Sequence, residues 1–392
     1  MKTFPKKKTS YAGQIVWFAV VISLIAGFVA LPHLIPVTWA EYYQEKIFCY
    51  VSFVPAAIAT MFHFSLTELI VVVGGIIALF LLIAFIVTFI IKAARGGLIR
   101  FLLRVFKPVL TFVLIMVVLF DLMLGIGYRR PDVVGSLDLK HEEYSHDEYY
   151  EVLEWAYNGM IRSRAKIGQD WRGVGHSKRS FEDNVRYANS LIDAISVKYD
   201  LDLSWNYIRS KPVAGSHVWS MTGIVGMYDP FIAEANVNTD YMDITSFPIT
   251  VCHEICHAKG VAKEGDCNIL ASLACIHSTD DEFKYAGYYY IFTNLYPVVR
   301  EYAKQTGKIF DDPLLRSEAE PVIIDTNASN AYWKSIHDTK LARFIHDMGT
   351  RINNMYLKSN GQQGGVETYH VPDNFYVDFY MTNIRPGDRN DA

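Results

Sequence analysis

The chain has 392 residues, 51% of them hydrophobic and 20% charged, with 41 acidic against 37 basic side chains and a net charge of −4. That balance excludes nucleic acid as the main partner, and 25 tyrosines, 23 phenylalanines and 7 tryptophans exclude intrinsic disorder for most of the chain. The 5 cysteines fit neither a paired zinc ribbon nor a dense disulfide framework.

The hydrophobic excess lies before Arg129. Lys2, Lys6, Lys7 and Lys8 precede an apolar run from Ile15 to Leu31 whose only polar residue is Ser23. A signal peptide opens the same way. No A-x-A site follows, however, and Pro32 and Pro36 come next, so the run reads as a first transmembrane helix over residues 12–34. Leu69 to Ile91 is uncharged and long enough to span alone. With Ser65 and Glu68 as a capping box, it predicts a second helix over 66–92. Val109 to Ile126 carries a single charge, Asp121, and predicts a third over 107–128.

Charge sets the orientation. The amino terminus and the connector with Lys92, Arg95, Arg100, Arg104 and Lys107 are basic, whereas the first connector has only Lys46. The positive-inside rule then places the amino terminus in the cytoplasm and the domain after Arg129 outside it. Residues 47–64 are uncharged, and a fourth span there would bring that domain inside. Pro55 sits mid-segment and almost no loop remains before Glu68, so the segment is read as interfacial, on the outer face. Asp121 is a functional candidate as an intramembrane acid; the plainer reading is a place near the outer end, paired or reached by water.

Two regions follow: a membrane region over 1–130 and an extracytoplasmic domain over 131–392. In the second, spacings of three and four predict helices around 149–160, 181–199, 249–258, 268–276, 285–306 and 331–357. A loop is expected over 168–177, a strand or hairpin over 213–238 broken at Asp229-Pro230, and a turn over 360–365. The domain is therefore mainly helical with a small β element, and it lacks the strand–helix alternation of a doubly wound sheet.

Residues 253–257 read His-Glu-Ile-Cys-His. Four-residue spacing on a helix puts His253 and His257 on one face, where two imidazoles can hold one Zn2+ and Glu254 can act as general base. Zinc acidifies a bound water and polarises a carbonyl. Such a site needs a third ligand, and Glu264 and Asp266 both follow. Glu264 shares a helix face with Asn268, which can orient a ligand histidine from behind; Asp266 is the alternative ligand. The histidine ligand of metzincins is absent, because position 263 is Lys263. Tyr228, Tyr285, Tyr288 and His370 are candidate oxyanion donors. His217, His277, His337 and His346 are read as surface or capping residues. Cys252, Cys256, Cys267 and Cys275 are read as small buried hydrophobes, with a disulfide or a thiolate ligand left open. Residues 218–238 offer either a core hairpin or a strand edge for an extended peptide.

The pattern His253-Glu254-x-x-His257-x-x-Gly260, then Glu264-x-Asp266-x-Asn268, resembles an uncharacterised bacterial family of zincin-like membrane proteins, catalogued as a domain of unknown function. Phe64-Ser65, Gly223-x-x-Gly226-Met227-Tyr228-x-Pro230, Glu234-Ala235, Tyr285-Ala286-Gly287-Tyr288 and Asn360-Gly361-Gln362 extend the resemblance over most of the chain. It implies three membrane helices and an extracytoplasmic zincin-like α+β domain with a gluzincin-type third ligand, its motif here ending in Asn268 and carrying Cys267 where alanine is usual.

Together these readings predict a membrane-anchored zinc metallopeptidase acting on a peptide or protein in the cell envelope. The alternative is a non-catalytic zincin-like binding or sensor domain.

Overall fold

The computed structural model describes residues 12–372 and 374–385; the amino-terminal lysines lie outside the described residues. α1 (Ala12–Leu34) is followed by α2 (Val37–Tyr42), a π-helical turn over Tyr43–Ile47, α3 (Phe48–Thr60), α4 (Leu66–Arg95) and α5 (Leu98–Met123). α1, α4 and α5 are each long and apolar enough to cross a membrane. The most apolar window of α4 buries 0% of its residues inside the protein, which leaves that surface for lipid.

The third span differs from its expected bounds. Gly96 and Gly97 take positive φ (+83° and +87°) and reverse the chain in the two residues between α4 and α5. The helix therefore starts at Leu98, and Arg100, Arg104 and Lys107 lie on its first turns instead of in a connector. It stops at Met123, because Gly125–Arg129 winds as a 3-10 turn. Basic side chains on the first turns of a helix read as a loop when only apolar residues are counted as helix.

Residues 47–64 hold on to the domain along one side. The Asn206 amide donates to the Cys49 carbonyl and to Ser52 Oγ, both at 3.0 Å. The fully buried Lys211 ammonium donates to the carbonyls of Ala59 and Phe62. Tyr50, Phe53, Val54 and Ile58 stay exposed on the other side.

Only half of the expected capping box at α4 forms. Ser65 Oγ accepts from Glu68 N at 2.9 Å, but the Glu68 carboxylate turns away to Ala214 N and Gly215 N at 2.9 and 2.7 Å. The remaining N–H groups find a carboxylate from far along the chain. Glu234, 1% exposed, accepts from Leu66 N at 3.2 Å and Thr67 N at 2.9 Å. A carboxylate at a helix start is favourable both as acceptor and against the helix dipole.

The large domain contains α6 (His146–Arg164), α7 (Phe181–Lys198), β1 (Lys211–Pro212), α8 (Ser216–Thr222), β2 (Gly226–Asp229) and β3 (Glu234–Val237). Then come α9 (Phe247–Ala258), α10 (Glu264–Ile276), α11 (Asp281–Thr306), α12 (Glu320–Ile336), α13 (Lys340–Ser359) and α14 (Phe375–Asn383). The expected strand over 213–238 is broken early, because Ser216–Thr222 is helical and Gly223 at φ +79° ends it. What remains is a hairpin turned at Asp229-Pro230. The sheet order is β1-β3-β2, with β1 parallel and β2 antiparallel to β3, and Tyr228 opposite Ala235.

α9 and α10 form the centre of the domain, packed among α7, α11 and the β2–β3 hairpin. Every residue of α9 except Thr250 is buried, and every residue of α10 except Gly265. Each fully buried Val, Ile or Leu there contributes about 1.5–3 kcal/mol. A helix buried all round holds imidazoles and carboxylates only if they are paired, and the pairing defines the site.

Candidate metal centre

α9 carries His253 and His257 one turn apart. Gly260, at φ +105°, ends the helix, and residues 261–263 lead at once into α10 with Glu264 at its start. The Gln44 amide donates to the Gly260 carbonyl, so the π-helical turn after α2 braces this bend.

Three donor atoms converge. His253 Nε2 and His257 Nε2 are 3.0 Å apart, and each is 3.1 Å from Glu264 Oε2. The far sides of both rings are committed. His253 Nδ1 donates to Asn268 Oδ1 at 2.7 Å, and the Asn268 orientation follows because its Nδ2 donates to the Tyr369 carbonyl at 2.7 Å. His257 Nδ1 donates to the Val261 carbonyl at 2.8 Å. With the proton on Nδ1 in each neutral ring, both Nε2 lone pairs face the Glu264 oxygen.

Three acceptors at such separations repel unless a proton or a cation sits among them. Burial alone would raise the Glu264 carboxyl, but the two histidines outweigh it and hold it below the usual carboxylate range. Burial likewise opposes charge on His257, and the Glu264 carboxylate overcomes this and raises the ring to about 9. A divalent ion satisfies the same three atoms without protons, and the N, N, O donor set suits zinc.

Glu254 lies beside this cluster, 4% exposed, with Oε2 buried and without a hydrogen-bond partner. Burial pushes its carboxyl up to about 7, against the lowering influence of the histidines. The opposing wall is β2: a Cβ at Gly226 would collide with the Glu254 carboxylate. Gly226 is thus required by close approach.

Aromatic rings enclose the cluster. Tyr228 stacks on His257 (6.3 Å, 16°) and Tyr369 on His253 (6.3 Å, 14°). The Tyr228 hydroxyl is buried without a partner. Tyr128, just after α5, donates to Tyr356 Oη at 3.3 Å, and burial together with the Glu264 charge raises both phenols. Tyr128, Tyr356 and Tyr369 escape the sequence reading because they arrive from distant segments. The one signal in the sequence is the place of Tyr128 at the end of an apolar run before two arginines.

Other candidates are engaged elsewhere. Asp266 accepts from Val133 N at 3.1 Å. The Tyr285 hydroxyl donates at 2.8 Å to Asp325, which also pairs with Arg164 and accepts from Gly175 N. The Tyr288 ring packs on Gly159 and Trp155 of α6. His370 follows the 3-10 turn Gly365–Tyr369, its N–H donating to the Glu367 carbonyl. His217 pairs with Asp240, and His277 and His337 follow the last turns of α10 and α12.

All five cysteines are free and buried. Cys252 and Cys275 pack at 4.0 Å between α9 and α10. Cys267 lies near both histidines and with them forms a second conceivable metal cluster. Its Sγ, however, is 3.3 Å from His257 Nδ1, the nitrogen already committed to Val261, and burial raises the thiol well above its usual value. Glu264 is therefore the better third donor.

The chain matches the family described as "Protein of unknown function (DUF3810)" over residues 43–372, a stretch that runs from the π-helical turn through α4, α5 and the whole cluster. No curated protein matches it, and no solved structure does.

Proposed function

We propose that this chain, which belongs to the family of membrane proteins of unknown function DUF3810, is a zincin-like, zinc-dependent metallopeptidase anchored by three membrane helices. The reading rests on one observation: the lone pairs of His253, His257 and Glu264 meet at a single point, with both ring tautomers fixed from behind. Zinc held by these residues supplies acidification of a water molecule and polarisation of the carbonyl under attack. Glu254 accepts the proton of the attacking water at its free Oε2 and delivers it to the leaving amine.

The surroundings favour a peptide. β2 is an edge strand of the sheet and its Gly226 touches the base, so an extended chain paired along β2 lies beside Glu254. Tyr228 Oη is the available donor for a developing oxyanion. The basic cluster at the α4–α5 turn supports, by the positive-inside rule, a cytoplasmic turn and a domain on the other side, and so an envelope peptide or protein as substrate.

The test is metal content and peptide-library cleavage on the full chain in detergent, beside Glu254→Gln and Glu264→Ala. One zinc per chain, retained in Glu254→Gln and lost in Glu264→Ala, is expected, with cleavage lost in both. No zinc uptake by the wild type overturns the reading. Zinc without cleavage leaves a binding module.

A further inference from the structure

α1 and α5 pack along each other and leave a cleft of about 530 Å³ between them and the domain above. That volume lies within the ~300–1,000 Å³ of ordinary ligand sites. At membrane depth its walls are apolar: Val29 and Pro32 from α1, Phe112, Met116 and Phe120 from α5. Phe112 to Asp121 spans roughly 14 Å of helix at ~1.5 Å per residue.

The upper end is polar. Asp121, 4% exposed, lines it, and its Oδ2 is buried without a hydrogen-bond partner. Arg129 lines it about two turns further along. The Arg129 Nε donates to the Ile35 carbonyl, and its guanidinium forms no ion pair among the described residues. A cleft apolar along its depth, with the Arg129 guanidinium, His33 and the Asp121 carboxylate at its edge, matches the chemistry of one molecule the bilayer supplies, an acyl chain beneath a polar headgroup whose phosphate meets the guanidinium.

We propose that this cleft is a binding site for one membrane phospholipid. An acyl chain lies between α1 and α5, the phosphate takes the free N–H groups of Arg129, and Asp121 meets the glycerol and headgroup region. Tyr128 forms part of the same wall and bonds Tyr356 beside Glu264, so the lipid covers the membrane-facing side of the metal centre. The proposal is independent of peptidase activity.

The test reconstitutes the full chain in phosphatidylcholine vesicles containing a trace of phosphatidylethanolamine with a photoreactive group near the chain end. Labelled peptides are then mapped by mass spectrometry. Label is expected to concentrate on α1 and on the Phe112–Phe120 face of α5. Met116→Trp, which fills the cleft, should reduce it to the level seen on α4. Arg129→Gln, which removes a charge-assisted bond, should weaken it about tenfold, and Leu82→Trp on lipid-facing α4 should leave it unchanged. If Met116→Trp fails to fold, Arg129→Gln and retention of one phospholipid by the wild type in native mass spectrometry decide the matter. Label spread evenly over α1, α4 and α5, or unaltered in Arg129→Gln, overturns the proposal. So does displacement of the label by an acylated peptide but not by added phospholipid, since the cleft would then serve acylated substrates.

Discussion

His253 donates from Nδ1 to the side-chain oxygen of Asn268 at 2.7 Å, and this bond decides which nitrogen His253 turns towards Glu264. The same amide is anchored on the Tyr369 carbonyl, so a residue of α10 and a backbone group some hundred positions later jointly set one imidazole. Asn268→Ala is expected to weaken zinc binding by about 10–100-fold, and Asn268→Asp, which keeps an acceptor, to restore most of it. Competition against a chromophoric chelator measures both; equal affinities in wild type and Asn268→Ala would remove Asn268 from the centre.

Gly226→Ala tests the contact between sheet and base. The three atoms nearest to the added methyl all belong to Glu254, so the methyl displaces that carboxylate first. Cleavage should fall by about 100-fold, the scale of a 1 Å misplacement, while zinc content stays at the wild-type level. Unchanged cleavage would show that Glu254 need not lie against β2.

His277 gives the acid side of stability. Burial, with help from the Lys198 charge, lowers it from 6.5 to about 4, and its Nε2 accepts from Tyr199 Oη at 3.0 Å. The unfolded chain therefore takes up the proton first as pH falls. Stability is full above 6.5, declines between 6.5 and about 4 and levels off below. Melting temperature followed across that window should lose part of its slope in His277→Phe; an identical slope would assign the acid sensitivity to other groups.

Asp325 separates structure from chemistry. It accepts from Arg164, Gly175 N and Tyr285 Oη in the domain interior. Asp325→Ala leaves Arg164 buried without its partner and should cost about 3–5 kcal/mol. Tyr285→Phe loses one bond to a charged group, about 1.5–3 kcal/mol. Urea unfolding reads both, and neither should alter zinc content. Zinc loss in folded Tyr285→Phe would return Tyr285 to the centre.

The elements legible in the sequence are those whose signal is local. Long uncharged runs gave α1 and α4, and the spacing of His253, His257, Glu264 and Asn268 brought together residues only a few turns apart. The start of α5 was hidden because Gly96 and Gly97 turn the chain more tightly than its basic residues suggest. α8 was hidden because seven residues are too few to show a helical repeat inside a stretch rich in Gly, Val, Ile and Tyr. The enclosing tyrosines were out of reach: Tyr128, Tyr356 and Tyr369 meet near Glu264 only through long-range packing, and one hydroxyl among 25 looks like another from sequence alone.

The bond between Glu234 and the first N–H groups of α4 bears on how the protein can be divided. A fragment cut just after the third span keeps every residue of the metal cluster. It also inherits a buried carboxylate at Glu234, an ammonium at Lys211 and an amide at Asn206, each stripped of its acceptors or donors on residues 49–67. Each such orphan costs about 1–3 kcal/mol, more where it is charged, against a total stability of roughly 5–15 kcal/mol. The covalent seam near residue 130 is therefore not a thermodynamic one: the large domain completes its interior with groups that residues 49–67 supply.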